Sequence, residues 1–322
     1  MITDKNNPIE LQQPKKAAAA QLIVILGPTA SGKTSLAVSL AQQLQGAILS
    51  ADSRQVYRSM NIGTGKDLAE YQEIPYFLID ICDPGEKYNI ARFQADFFEV
   101  YEQLKEQGKQ PILCGGTGLY IQAILQGAKY SQVPINEPLR AQLSELDRPS
   151  LQALLAGKTI PEDLKIDSST SKRLIRGLEI ITYLEAYGDS FKQNPAPIQD
   201  ALIIGLNPAL SLRREKISTR LKERLAAGML QEVEELLAGG VSHAELIYYG
   251  LEYKYCSLFL QGLISYDAFY IKLEVEIHRY AKRQMTYFRK MEKDGIVINW
   301  LSAEEASPRL AEALALIKKG IT

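Results

Sequence analysis

The sequence predicts an α/β protein, a parallel β-sheet flanked by helices, with a small helical insertion and a helix-rich C-terminal part. Three observations carry the prediction. Short apolar runs (22–26, 47–49, 76–79, 110–114 and 201–206) recur along the chain, bounded by Gly, Asp, Ser and Asn, as strands buried on both faces do. Most of them are separated by segments with helical periodicity, and strands alternating with helices build a parallel sheet. The first run leads directly into Gly27-Pro28-Thr29-Ala30-Ser31-Gly32-Lys33-Thr34, which matches G-x-x-x-x-G-K-[ST] in the strand–turn–helix setting that this pattern requires.

Each element follows in order. Leu22–Leu26 is a buried strand and Ser35–Leu44 a helix; Ala47–Leu49 is a short strand that delivers Asp52 and Ser53 at its carboxyl end, where α/β sheets hold their ligands. Tyr76–Ile79 is a third strand ending at Asp80, Asn89–Glu106 a helix, and Gln110–Cys114 a strand running into Gly115-Gly116-Thr117-Gly118. Over 131–170, prolines 134, 138, 149 and 161 divide the chain into short pieces, read as a small helical insertion inside a core formed by 20–130 and 171–322. Ser171–Tyr187 is one amphipathic helix and Ala201–Leu206 the returning strand. Helices are expected over 210–227, 229–238, 243–260 and 266–293, with a short last strand at 296–300.

Composition limits the alternatives. The chain has 322 residues, 46% of them hydrophobic and 23% charged, with room for about two domains. A net charge of −1 means that any nucleic-acid site has to come from local clusters of Lys and Arg. Three cysteines, Cys82, Cys114 and Cys256, are too few and too scattered for a disulfide framework or a Cys-based zinc site, so a cytoplasmic protein is expected. Lys15-Lys16 followed by apolar residues could pass for a signal peptide, but cleavage there would remove or cripple the glycine-rich loop. Residues 1–19, polar and containing Pro8 and Pro14, read instead as a disordered leader. No run is long enough to span a membrane, and a monomer is expected.

The chemistry is concentrated at strand ends. In the P-loop the backbone N–H groups converge on a di- or triphosphate, Lys33 adds charge, and the Thr34 hydroxyl can hold Mg²⁺. The pattern points to a P-loop NTPase-like core. Asp52, one strand further on, is a candidate base or a helix cap. Thr117, among glycines, places a hydroxyl where backbone can approach a ligand closely. Asp80 has the position of a Walker-type aspartate holding Mg²⁺ through water, or of a turn cap before Asp83-Pro84-Gly85. Lys172, Arg173 and Arg176 share one side of a helix; Arg279, Lys282, Arg283, Arg289 and Lys290 crowd another, with Tyr280, Tyr287 and Phe288 interleaved. Such faces are solvated surfaces or RNA-binding surfaces.

Four segments together resemble the tRNA dimethylallyltransferases, also called tRNA isopentenyltransferases: GPTASGKT at 27–34, ADSRQVYRSMNIGTGK at 51–66, GGTGLYIQAI at 115–124 and YAKRQMTYFRK at 280–290. The resemblance implies a prenyl transfer from dimethylallyl diphosphate to N6 of the adenosine just 3′ of the anticodon, with Mg²⁺ as cofactor and the tRNA anticodon stem-loop as partner. It implies that Gly27, Thr29, Ala30, Ser31, Gly32, Lys33, Thr34, Lys216 and Arg220 hold the diphosphate. Asp52 would accept an N6 proton and Thr117 would touch the reacting groups. Ser53, Arg54, Gln55 and Tyr57 would hold the flipped base; Lys172, Arg173, Arg176, Arg279, Lys282, Arg283 and Gln284 would touch tRNA, as would the insertion.

The chain departs from the family pattern at Lys172, where a Gln is usual, at Lys216, where an Arg is usual, and at Gly250-Leu251-Glu252-Tyr253, where Gly-Tyr-x-Glu is usual. The insertion also lacks the usual Asp-Pro and Asn-Asp elements. Competing readings are an adenylate isopentenyltransferase acting on free AMP, ADP or ATP, a P-loop kinase or NTPase, and a tRNA-binding protein without activity.

Overall fold

The computed structural model describes residues 20–302 and 305–319; the leader expected over 1–19 lies outside the described residues. Among the described residues, six strands form one sheet in the order β3-β2-β4-β1-β5-β6: β1 (Leu22–Leu26), β2 (Gly46–Ser50), β3 (Tyr76–Phe77), β4 (Gln110–Gly115), β5 (Ala201–Leu206) and β6 (Asn299–Leu301). Every pairing is parallel. Successive side chains of a strand face opposite sides, and β1 divides accordingly. Leu22, Val24 and Leu26 pack with Leu49, Leu113 and Phe97 on one face; Ile23 and Ile25 pack with Ile48, Ile112 and Ile204 on the other.

Helices cover both faces. α1 (Lys33–Leu44) and α12 (Ala306–Lys319) close the second face through Leu36, Leu40, Ala313 and Ile317. On the first lie α2 (Ile90–Glu106), α3 (Gly118–Gln126) and the long α11 (Tyr266–Lys293), which contributes Phe269, Ile277, Met285 and Phe288. The insertion holds α4 (Glu137–Ser144) and α5 (Arg148–Ala156), and both pack on α6 (Ser171–Tyr187). There Leu143, Leu151, Leu174 and Leu178 make a core of their own. Four further helices, α7 (Leu210–Ala226), α8 (Met229–Ala238), α9 (His243–Tyr249) and α10 (Leu251–Leu260), complete the C-terminal part.

The differences from the sequence expectations have physical causes. The third strand stops after two residues because Leu78 and Asp80 take positive φ angles of 65° and 55°, which break an extended ladder. The helix expected over 243–260 is divided at Gly250, whose φ of 141° no helix accepts. Two helices were not expected. α3, Gly118–Gln126, is nine residues long and mostly apolar, and so short an apolar run is not told from a strand by periodicity. α12 lies beyond the last element expected.

Chain order places the loops that matter. From β1 the chain passes over β4 to reach β2, and after β4 it goes to β5 on the other side of β1. The loops following β1 and β4 therefore part at neighbouring strands, and the crevice that opens at their carboxyl ends is where such sheets bind ligands.

Candidate active site

The loop after β1 turns into α1 at Gly32, which takes φ 82° as the helix N-cap without a capping side chain; a glycine meets that left-handed geometry without strain. The first-turn N–H groups of α1 are left free to face an anion. Lys33 Nζ folds back to donate to the Pro28 carbonyl at 2.7 Å. Burial lowers its pKa to about 8, with Cys114 and Asp52 opposing that shift and Arg220 adding to it.

Asp52 follows β2. Its Oδ1 accepts from the Arg54 N–H at 2.9 Å, an Asx turn that fixes the carboxylate at the mouth of the strand. Thr117, ahead of α3, is locked to the same loop: its N–H donates to the Ala51 carbonyl at 3.1 Å and its Oγ1 accepts from the Ser53 N–H at 3.1 Å. Gln55 Nε2 donates to the Gly65 carbonyl at 3.0 Å, while its Oε1 accepts from Ser50 Oγ. Two adjacent strand ends thus hold Asp52 and Thr117 in one rigid unit.

The stretch after Tyr57 is tied down from α8. The Glu232 carboxylate accepts the N–H groups of Asn61, Ile62 and Gly63 at 2.7, 2.7 and 3.0 Å, and the Tyr253 hydroxyl at 2.8 Å. Lys66, only 1% exposed, donates to the Tyr57 carbonyl, to Asn61 Oδ1 and to Asp80. Arg220 pairs with Asp67, and Arg224 with Glu252 at 3.6 Å. Burial pushes the Arg224 guanidinium down and the Glu252 carboxyl up, each shift opposed by the other partner.

These loops enclose a cavity of about 740 Å³. Thr29, Ala30, Lys33 and Thr34 line it, together with Asp52, Ser53, Arg54, Gln55 and Thr117. Arg173, Arg220, Arg283 and Gln284 complete the expected set, and Leu251, Ile277, Tyr280 and Tyr253 add an apolar and aromatic wall.

Several expected residues are placed elsewhere. Gly27, Ser31 and Gly32 shape the loop from behind, outside the lining. Tyr57, expected to hold a base, is 1% exposed; its ring packs edge-on against Tyr249 at 4.7 Å and its hydroxyl accepts from the Tyr88 N–H. Asp80 is outside the lining, and its carboxylate pairs with Lys66. Arg176 is a strut: it donates to the carbonyls of Tyr130 and Val133 and pairs with the buried Glu179. Gln284, which lines the cavity, bonds through its carboxamide to Thr29 and Gly116. Lys172, Lys216, Arg279 and Lys282 also lie outside the lining.

Sequence reading missed Glu232, Lys66 and Arg224. For the last, the spacing of Arg220 and Arg224, one helical turn apart, was the available signal. Among the described residues no cluster of three or more His, Cys, Asp and Glu could hold a metal, and no helix is long and apolar enough to cross a membrane.

Comparison with known proteins agrees with the geometry. The family model for IPP transferase matches residues 55–291, and that for isopentenyl transferase matches 20–75. The chain is 52% identical over 288 residues to tRNA dimethylallyltransferase 1 of Parabacteroides distasonis, covering 88% of this chain and 92% of that one. It is 48% identical over 303 residues to tRNA dimethylallyltransferase 2 of Bacteroides fragilis, covering 92% and 97%. Among solved structures, it resembles the full-length tRNA isopentenylpyrophosphate transferase of Bacillus halodurans, with a TM-score of 0.67 and 28% identity over 93% of this chain and 97% of that one. A eukaryotic dimethylallyltransferase acting on tRNA shares the fold, at a TM-score of 0.67 and 23% identity over 87% and 73%. A phosphate cradle, a carboxylate and a hydroxyl at adjacent strand ends, and matches that run from the first strand into α11 lead to one conclusion: the chain belongs to the IPP transferase family, the tRNA dimethylallyltransferases.

Proposed function

We infer that the chain transfers a dimethylallyl group from dimethylallyl diphosphate to N6 of the adenosine just 3′ of the anticodon in tRNA, releasing diphosphate. The observation that carries this reading is that Lys33, Asp52 and Thr117 face one cavity whose lining also includes Arg173 and Arg283, so a phosphate end and a nucleobase end meet in it.

The reaction breaks the C1–O bond of the allylic diphosphate and forms the N6–C1 bond. Adenine N6 is a weak nucleophile, so positive charge builds on the allyl group while negative charge builds on the departing oxygen. The α1 amides, Lys33 and Arg220 lie around the cavity end where that oxygen would sit, and donors of this kind would stabilise such charge. Leu251, Ile277 and Tyr280 give the five-carbon group an apolar wall that excludes water. Asp52 takes the N6 proton, and Thr117 orients the reacting groups.

The donor set suits Mg²⁺, which needs few protein oxygens and takes the rest from phosphates and water. The Thr34 hydroxyl would hold it, and the ion would neutralise charge on the leaving diphosphate. The base enters flipped out of its stack, held by Ser53, Arg54 and Gln55; the α4–α5 insertion and the outer face of α11 extend the tRNA surface.

Incubating the protein with Mg²⁺, dimethylallyl diphosphate and either tRNA or AMP tests the reading by mass spectrometry. We expect one added dimethylallyl group on the tRNA adenosine. Prenylated AMP with unmodified tRNA would overturn it.

A further inference from the structure

Gln284 lies within α11, and its carboxamide is used up inside the protein. Oε1 accepts from the Thr29 N–H at 2.9 Å, and Nε2 donates to the Gly116 carbonyl at 3.0 Å. The residue is 7% exposed. The fit leaves no room: a Cβ on Gly116 would stand 2.2 Å from Nε2. On the same stretch of helix Tyr287 covers Gly118, where a Cβ would meet the ring at 2.3 Å, and its hydroxyl donates to Gln122 Oε1 at 2.7 Å. The loop carrying Thr117 is thereby clamped to α11 on both sides, and so is the outer half of the phosphate cradle.

The position of Thr29 gives this clamp a consequence for substrate choice. In a loop of this type the amides next to the helix cradle the inner phosphates, and the lysine reaches across the outer pair. A third phosphate has to lie further out, along the N-terminal half of the loop. Here that half has its Thr29 N–H occupied already, and the occupant is a carbonyl oxygen, which repels phosphate oxygens. Behind that oxygen stands α11.

We propose that Gln284 sets the number of phosphates the cradle accepts: two fit, and a third is shut out by the carboxamide bridging Thr29 and Gly116. This deepens the proposed function and rests on it for the diphosphate itself. It gives a physical reason for a loop of the kind used by ATP-binding proteins to choose a prenyl diphosphate over a nucleoside triphosphate.

Calorimetric titration of the full chain with inorganic pyrophosphate and with inorganic tripolyphosphate, at equal Mg²⁺, tests this without using catalysis. The wild type is expected to bind pyrophosphate about tenfold more tightly, the factor that one misplaced hydrogen-bonding group commands, although tripolyphosphate carries more charge. Gln284→Ala is expected to bring the two affinities within about twofold, chiefly by admitting tripolyphosphate. Gln284→Glu keeps an acceptor oxygen opposite Thr29 and is expected to keep or widen the wild-type ratio. A partly unfolded variant lowers both affinities together and leaves the ratio alone, so the ratio separates this role from general support of the fold. An unselective wild type, an unchanged ratio in Gln284→Ala, or a ratio near one in Gln284→Glu overturns the proposal. If the wild type binds neither anion, the diphosphate reading of the cradle fails as well; pyrophosphate binding without selectivity removes only the role given to Gln284.

Discussion

Lys33 changes its chemistry on entering this fold. Burial brings its pKa to about 8, so in the empty cradle it sheds its proton as the pH rises through that value. A bound diphosphate favours the charged form, and binding above pH 8 must take up a proton, which weakens it. The affinity for dimethylallyl diphosphate is therefore expected to fall as the pH is raised past about 8, and Lys33→Arg, which stays charged, to abolish that fall. Titration calorimetry at several pH values checks both; a flat wild-type profile would contradict the assignment. Asp52→Ala is expected to lower turnover by roughly 10²–10⁴-fold, the range for a general base, with tRNA affinity nearly unchanged. Full activity in that variant would remove Asp52 as the base. The motifs made Lys33, Thr34, Asp52 and Thr117 legible in the sequence because each sits at a fixed offset from a strand end. They could not reveal that Tyr57 is core or that Asp80 belongs to Lys66, since both facts depend on packing between segments.

At the scale of elements, periodicity revealed what it is able to. β1, β5, α6 and α11 were legible end to end because their apolar spacing is uninterrupted. α3 was not, since a nine-residue run so rich in apolar residues does not distinguish helix from strand by periodicity, and Gly250 hid inside a pattern that reads as helical on both sides. The loop from Asn61 to Gly65 owes its shape to α8, through one carboxylate that accepts three backbone N–H groups and a hydroxyl. Glu232→Ala leaves four donors unpaired and is expected to cost about 2–4 kcal/mol of stability. Calorimetric melting reads that loss, and a variant as stable as the wild type would show that the loop holds itself. Gly118→Ala is expected to force Tyr287 aside and loosen α3 from α11. The matching measurement is faster hydrogen exchange across 117–124; unaltered protection would argue against the clamp.

Across the whole molecule, charge is local. The chain is close to neutral, yet Arg283, 57% exposed at its side chain, looks into the cavity while Lys282 beside it faces solvent. Replacing both with Gln is expected to weaken tRNA binding and to lower the slope of log affinity against log salt by about one to two, as losing that many phosphate contacts does. Pyrophosphate binding should stay within about twofold. An unchanged salt slope would make this face of α11 a solvated surface only.

The bond between Thr29 and Gln284 joins residues 255 positions apart. A ribosome adding roughly 5–20 residues per second needs about 10–50 seconds to travel that distance. Throughout that interval the nascent chain carries a complete glycine-rich loop without its outer wall, so the order of synthesis delays phosphate selectivity until α11 is made.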